Sequence, residues 1–168
     1  MPTCPRCKTR LVHQASQEGG LEALLGLLTV YPFRCQLCTH RFRAFLWRYS
    51  ESPKREYDRV PAQYPVTLYP VSAGRQADGI QGTTINLSIT GCMVETSAQV
   101  PQGTSVRLNI HGAGLPAPIE VESAVVRVVL ENKLGLEFST IAPAEDQRLR
   151  VFMEAHLLCR PRAVNRPG

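Results

Sequence analysis

From about residue 60 onward, apolar and polar positions alternate in short runs cut by turn residues. The runs are YPVTLYPVSA, GTTINLSITGCMVETSA, SVRLNIHG, IEVESAVVRVVL and KLGLEFS. A period of two sends successive side chains to opposite faces of a strand. Strands this short, regularly spaced and without helices between them, predict a small antiparallel barrel, which also removes exposed edges. The period changes at PAEDQRLRVFMEAHLLCR, where Leu149, Phe152, Met153 and His156 recur at helical spacing. Pro143 at the start and acids in the first turn mark this as a C-terminal helix. His156, lying on the apolar stripe, reads as a packed histidine.

The first third is patterned differently. Leu21, Leu24, Leu25 and Leu28 share a helical face, which predicts a short helix packed on its neighbours. A docking surface for a partner or a membrane interface is the alternative. RFRAFLWRYS alternates as a strand, with Phe42, Ala44 and Leu46 on one face and Arg41, Arg43, Phe45, Trp47 and Tyr49 on the other. SESPKREYDR is polar, carries a proline and reads as a linker.

Composition narrows the class. A chain of 168 residues, 43% hydrophobic and 20% charged, is globular, as one domain or two small ones. The net charge is +5, and residues 1–59 hold 10 of the 19 Lys and Arg but 5 of the 14 Asp and Glu. The excess positive charge therefore lies in the first third, where an anionic partner is best sought. No N-terminal signal pattern is seen. The longest apolar stretch, LEALLGLLTVYPF, holds Glu22, Gly26 and Pro32 and is too short to cross a bilayer. A cytoplasmic protein without a transmembrane segment is expected, and in a reducing compartment its cysteines point to metal before disulfides.

Cys4 and Cys7 form one CxxC, and Cys35 and Cys38 a second. Two residues between cysteines let a tight turn aim both sulfurs at one point, and two such turns supply the four thiolates of a tetrahedral zinc site. The competing assignment, two redox pairs, lacks a surrounding βαβ pattern. His40 follows Cys38 closely but is read as a surface residue, since four sulfurs already fill the site. A closed site leaves no position for water, so this zinc is expected to be structural, worth roughly 10–16 kcal/mol of apparent folding free energy. YPFRCQLCTHRFRAF resembles the second knuckle and strand of a zinc ribbon. The glycine that often follows such knuckles is replaced by Lys8 and Thr39. Basic residues interleaved with aromatics after Cys38 also allow contact with single-stranded nucleic acid.

REYDR (Arg55 to Arg59) followed by NLSITG (Asn86 to Gly91) resembles the PilZ domain family, through its motifs RxxxR and D/N-x-S-x-x-G. RxxxR alone is unspecific: it occurs also at Arg6/Arg10 and Arg162/Arg166. Only the middle copy precedes the first barrel strand with the second motif one hairpin later. LGLEF, ending at Phe138, also looks like the family's closing strand, and the resemblance covers about residues 53–142. It implies a six-stranded barrel that binds cyclic di-GMP. The site carried over is Lys54, Arg55, Arg59, Asn86, Ser88 and Gly91. Arginine forks suit phosphate and guanine O6/N7. Asn86 and Ser88, two apart on a strand, face one way and can meet a guanine edge, and Gly91 removes a side chain where backbone must bend or approach the ligand. Where the family often has Asp, Asn86 offers a single acceptor oxygen. A basic residue at the Lys54 position goes, in the family, with a stacked pair of ligands, implying two nucleotides per chain.

The expectation is thus a mainly β protein with zinc-ribbon-like module 1–48, linker 49–59 carrying RxxxR, PilZ β-barrel 60–142, C-terminal helix 143–160 and tail 161–168. Its expected function is that of a cyclic di-GMP receptor or adaptor acting on a protein effector, with binding reorienting the ribbon. The linker cations Lys54, Arg55 and Arg59 have few obvious partners before ligand arrives. The alternative is a nucleic-acid-binding regulator acting through the basic ribbon. With no Walker loop, nucleophile constellation or open metal site, the chain does not read as an enzyme.

Overall fold

The computed structural model describes residues 2–46, 56–71, 79–112 and 117–159. Its contacts divide the chain into two units, Met1–Asp58 and Arg59–Gly168. Of the sequence-predicted residues, Trp47, Tyr49, Lys54 and Arg55 and the tail 161–168 lie outside the described residues.

In the first unit, β1 (Val12–Gln14), β2 (Val30–Cys35) and β3 (Arg41–Phe45) form an antiparallel sheet in that order, with α1 (Gly20–Leu27) between β1 and β2. Its buried apolar side chains among the described residues are few: Val12, Phe33, Leu37 and three of the cysteines. Phe33 stacks on Phe42 with centroids 5.9 Å apart. Such a core is too small to account for a stable fold by burial alone.

The helix between the thiol pairs is present, but two of the leucines predicted to pack, Leu24 and Leu28, do not, and Leu25 is half-buried. Leu24 and Leu28 are 59% and 64% exposed, and Leu27 80%. Instead the helix turns Glu22 inward, 5% exposed. Its carboxylate accepts the Glu18 N–H at 2.7 Å and pairs with Arg41 at 2.7 Å and Arg43 at 3.3 Å. A carboxylate with three charge-assisted or backbone donors can be held there, because those bonds offset its loss of water.

In the second unit, β5 (Pro65–Pro70), β6 (Ile80–Ser88), β7 (Gly91–Glu95), β8 (Ser105–Ile110), β9 (Ile119–Leu130) and β10 (Lys133–Thr140) form the predicted six-stranded antiparallel barrel. The order β6-β5-β8-β9-β10-β7 closes through the β6–β7 pair. Inward positions are aliphatic: Leu68, Leu87, Leu108, Ile110, Ile119, Val66, Val94, Val106 and Val121 are all at most 1% exposed. Each such residue contributes about 1.5–3 kcal/mol by leaving water. α2 (Pro143–Leu158) lies against β9 and β4 and buries Leu149, Phe152 and Met153. His156 is the packed residue expected. Its Nδ1 donates to the Phe152 carbonyl at 2.8 Å, which leaves Nε2 to accept the Tyr64 hydroxyl at 3.0 Å.

One short strand escapes the alternation. β4 (Val60–Pro61) runs along the same edge of β6 as β5, pairing Val60 with Leu87 and Pro61 with Asn86. The break between β4 and β5 is bridged by the fully buried Thr84. Its hydroxyl accepts the Tyr64 N–H and donates to the Ala62 carbonyl, both at 2.9 Å. This arrangement brings the chain just after REYDR directly onto the strand that carries NLSITG.

Candidate functional site

The thiol turns converge. The sulfurs of Cys4, Cys7, Cys35 and Cys38 lie within 4.8 Å of one another, Cys4 and Cys38 at 3.6 Å and Cys7 and Cys35 at 3.5 Å. The turns are built alike. The Cys4 N–H donates to the Thr9 carbonyl and the Cys35 N–H to the His40 carbonyl. Lys8 and Thr39, where ribbons often have glycine, adopt left-handed φ of 61° and 58°. The turn geometry therefore forms without glycine, at a cost of roughly 1–2 kcal/mol per residue. His40 stands outside the cluster, its ring 6.2 Å from that of Phe42.

Burial pushes the Cys35 and Cys38 thiols up from their ordinary range. Burial also acts on Cys4, but the N–H groups of Cys7 and Arg6 outweigh it and leave that thiol low. The Leu37 and Cys38 N–H groups point at the Cys35 sulfur, both at 3.4 Å. Such N–H···S bonds stabilise negative sulfur. The cluster could hold a metal ion, and its donor set is all sulfur.

A second cluster sits on the outer face of the barrel around β6 and β7. Leu87 pairs with Cys92 and both are buried; Asn86 pairs with Met93 and Ser88 with Gly91, on the opposite side. Asn86 Oδ1 is buried with no hydrogen-bond partner among the described residues. An orphaned acceptor of this kind costs about 1–3 kcal/mol, which a donor from a ligand can recover. The Ser88 hydroxyl donates to the Gly91 carbonyl at 3.0 Å. Gly91 has a steric role in the barrel itself. A Cβ there would stand 2.3 Å from the Leu136 carbonyl oxygen on β10. The glycine thus permits the close approach of two strands, a constraint that sequence reasoning did not assign to it.

Arg59 immediately precedes β4. Extending the Val60–Leu87 register by one residue sets it opposite Ser88. It is exposed, and no carboxylate pairs with it among the described residues. Its charge is felt by the Cys92 thiol, which burial pushes up to about 12 against the pull of Arg59. Arg59, Asn86 and Ser88 therefore gather at one end of β6. Lys54 and Arg55 are outside the described residues.

Sequence reasoning missed what holds the residues between the two arginines. Glu56, Tyr57 and Asp58 bond within the first unit to Arg34, Gln36 and His13. Nothing in REYDR or CQLC announces it, because those bonds join segments twenty to forty-five residues apart. On β3, Arg41 and Arg43 are matched by Glu18 and Glu22.

The PilZ domain family model matches residues 53–155. Among solved structures, the Bacillus subtilis inhibitor of motility (MotI/DgrA) is similar at 25% identity and a TM-score of 0.52. That match covers 71% of this chain and 55% of the other, so the chain spans about half the length of that relative. The PilZ domain of YcgR from Escherichia coli, solved with c-di-GMP, is 13% identical, with a TM-score of 0.50 over 63% of this chain and 93% of that one. The PilZ domain of CeSA from a cellulose-synthesizing bacterium is 19% identical, with a TM-score of 0.47 over 59% and 99%. No curated protein matches the chain.

Proposed function

This chain belongs to the PilZ domain family, and on that premise we propose that it is a cyclic di-GMP receptor that binds at Arg55, Arg59, Asn86 and Ser88. The single observation that carries the site is the buried Asn86 Oδ1, which has no hydrogen-bond partner among the described residues, near the exposed Arg59, which has no carboxylate partner among them. A guanine edge offers N–H donors to such an oxygen, and the nucleotide's phosphates offer charge to the guanidinium. The Ser88 hydroxyl has spent its proton on Gly91, so it meets the ligand as an acceptor, again suited to guanine N–H groups. Lys54 adds a third cation for a second stacked nucleotide. The related E. coli domain was solved with the same ligand.

The Cys4 set is proposed to bind one structural zinc. Tetrahedral Zn–S bonds of about 2.3 Å require sulfurs roughly 3.8 Å apart, against 3.5 and 3.6 Å for two of the pairs and at most 4.8 Å for the others. With all four positions taken by protein sulfur, the ion would hold the first unit together and offer no site for chemistry. The proposed role is that of an adaptor, non-catalytic, whose N-terminal module is repositioned toward a protein effector when nucleotide binds. Arg41 and Arg43, already neutralised by Glu18 and Glu22, give the nucleic-acid alternative less support. Among the described residues no helix is long and apolar enough to cross a membrane.

Calorimetry with cyclic di-GMP on the zinc-loaded chain tests the reading, alongside metal analysis. Saturable binding that Arg59→Ala weakens by roughly 1.5–3 kcal/mol, the worth of a charged hydrogen bond, is expected, with about one zinc per chain. Equal affinity in Arg59→Ala would remove that residue from the site, and reduced protein free of zinc would end the metal assignment.

A further inference from the structure

The three residues between the motif's arginines are gripped by the first unit. Gln36 Nε2 donates to the Glu56 carbonyl at 3.2 Å, and its Oε1 accepts the Asp58 N–H at 2.7 Å. One amide thus clamps the backbone on both sides of Tyr57. Arg34 pairs with the Glu56 carboxylate at 2.6 Å and donates to the Tyr57 hydroxyl at 3.3 Å, its guanidinium 5.8 Å from the ring centroid. His13 Nε2 lies 3.1 Å from the Asp58 carboxylate. Arg34 and Gln36 flank Cys35, and Gln36, 2% exposed, sits inside the second CxxC turn. The shape of that turn is what a metal at the four sulfurs would fix.

We propose that Gln36 makes the second CxxC turn a positioning clamp for the RxxxR segment, so that metal loading at the cysteines and nucleotide binding at the motif strengthen one another. This rests on the receptor reading above. Two physical effects produce the coupling. The clamp orders the backbone of Glu56–Asp58 before the nucleotide arrives, so ligand binding need not supply that ordering. Arg34 and His13 also hold the two acidic side chains of REYDR, which in a loose segment would compete with phosphate for the neighbouring arginines. Arg59 is accordingly left without a carboxylate partner among the described residues. Because coupling of two equilibria is reciprocal, the nucleotide must tighten metal binding by the factor with which metal tightens nucleotide binding.

The test uses the full chain and Gln36→Leu, which keeps side-chain volume and the backbone bond of residue 36 but makes neither clamp bond. Zinc affinity is measured by competition with a chromophoric chelator, with and without saturating cyclic di-GMP. Nucleotide affinity is measured by calorimetry on zinc-loaded and zinc-stripped protein. The expected coupling in the wild type is on the order of tenfold in both directions, falling toward onefold in Gln36→Leu although that variant still binds each ligand. A merely structural role for Gln36 would weaken both ligands and leave the coupling factor unchanged, which overturns the proposal. If Gln36→Leu does not fold, Arg34→Met, which removes the Glu56 and Tyr57 bonds outside the turn, should lower the factor, and an unchanged factor overturns the clamp. A wild type that binds nucleotide equally well with and without zinc overturns this inference alone. A wild type that binds no nucleotide overturns the receptor reading and this inference with it.

Discussion

The Ser88 hydroxyl donates across its own hairpin to the carbonyl of Gly91 at 3.0 Å, tying together two of the three fixed positions of NLSITG. In the proposed site, one side chain would therefore have both a folding and a binding role. Ser88→Ala is expected to cost about 0.5–1.5 kcal/mol of stability, the net worth of one hydrogen bond. The same variant should weaken cyclic di-GMP binding less than Arg59→Ala does, since a neutral acceptor is lost in place of a charge. Urea melts and calorimetry on the same samples separate the two effects. Unchanged stability would mean that the hairpin bond contributes nothing.

Gly91 answers to β10. A Cβ added there would meet the Leu136 carbonyl oxygen at 2.3 Å, and backbone in a closed barrel cannot step aside as a flexible side chain can. Overpacking costs typically 1–3 kcal/mol, and Gly91→Ala should fall at the upper end. The readout is the denaturant midpoint of the barrel in the absence of nucleotide. A midpoint equal to that of the wild type would show that the β7–β10 approach has slack.

Lys8 and Thr39 occupy left-handed backbone in the two thiol turns, at φ of 61° and 58°. A residue with a Cβ loses roughly 1–2 kcal/mol there, while glycine's larger unfolded-state freedom returns about 0.4–1 kcal/mol of that advantage. Lys8→Gly, at an exposed position, should therefore stabilise the zinc-loaded module by about 0.5–1 kcal/mol. Thr39→Gly should gain less, because the Thr39 hydroxyl donates to the Cys38 carbonyl at 2.7 Å. Thermal melts in excess zinc rank the two variants. The reverse ranking would mean that the threonine bond is not formed in solution.

Glu22 gives the N-terminal unit an acid-sensitive anchor. The Glu18 N–H bonded to its carboxylate holds it below the ordinary carboxylate range, against the opposing effect of burial, and Arg41 adds to the lowering. A carboxyl with a depressed folded-state pKa contributes stability that is present above its unfolded value, about 4.3, and lost as pH falls through the folded value. The stability difference between wild type and Glu22→Gln, both with saturating zinc, should be full near neutral pH. It should shrink as pH is lowered from about 5 toward 3. Measuring the difference cancels the proton competition at the thiols. A difference that stays constant over that range would deny Glu22 this role.

Local patterns carried much of this protein. Alternation in five short runs, with turn residues between them, was enough for a closed β-barrel, because burying one face of each strand needs a period of two and little else. Pro143 and the stripe Leu149, Phe152 and Met153 marked the C-terminal helix for the same kind of reason. The spacing of Cys4, Cys7, Cys35 and Cys38 implied convergence of four sulfurs, since each CxxC is a turn whose geometry is set within a few residues.

Tertiary structure decided everything that depended on a partner distant in sequence. Helical spacing placed Leu24 and Leu28 on an apolar face, yet Glu22 took the inward position because Arg41 and Arg43 reach it from β3. The Val60–Pro61 strand was too short to show a period, and it exists because β6 offers an edge and Thr84 bridges the break after it. Polar composition made SESPKREYDR read as a linker, since it lacks the apolar residues that signal burial. Glu56–Asp58 are held all the same, by an amide inside a thiol turn. Hydrogen bonds of this sort leave no periodic trace in either segment. They are satisfied by geometry at a distance, and only the folded chain brings donor and acceptor together.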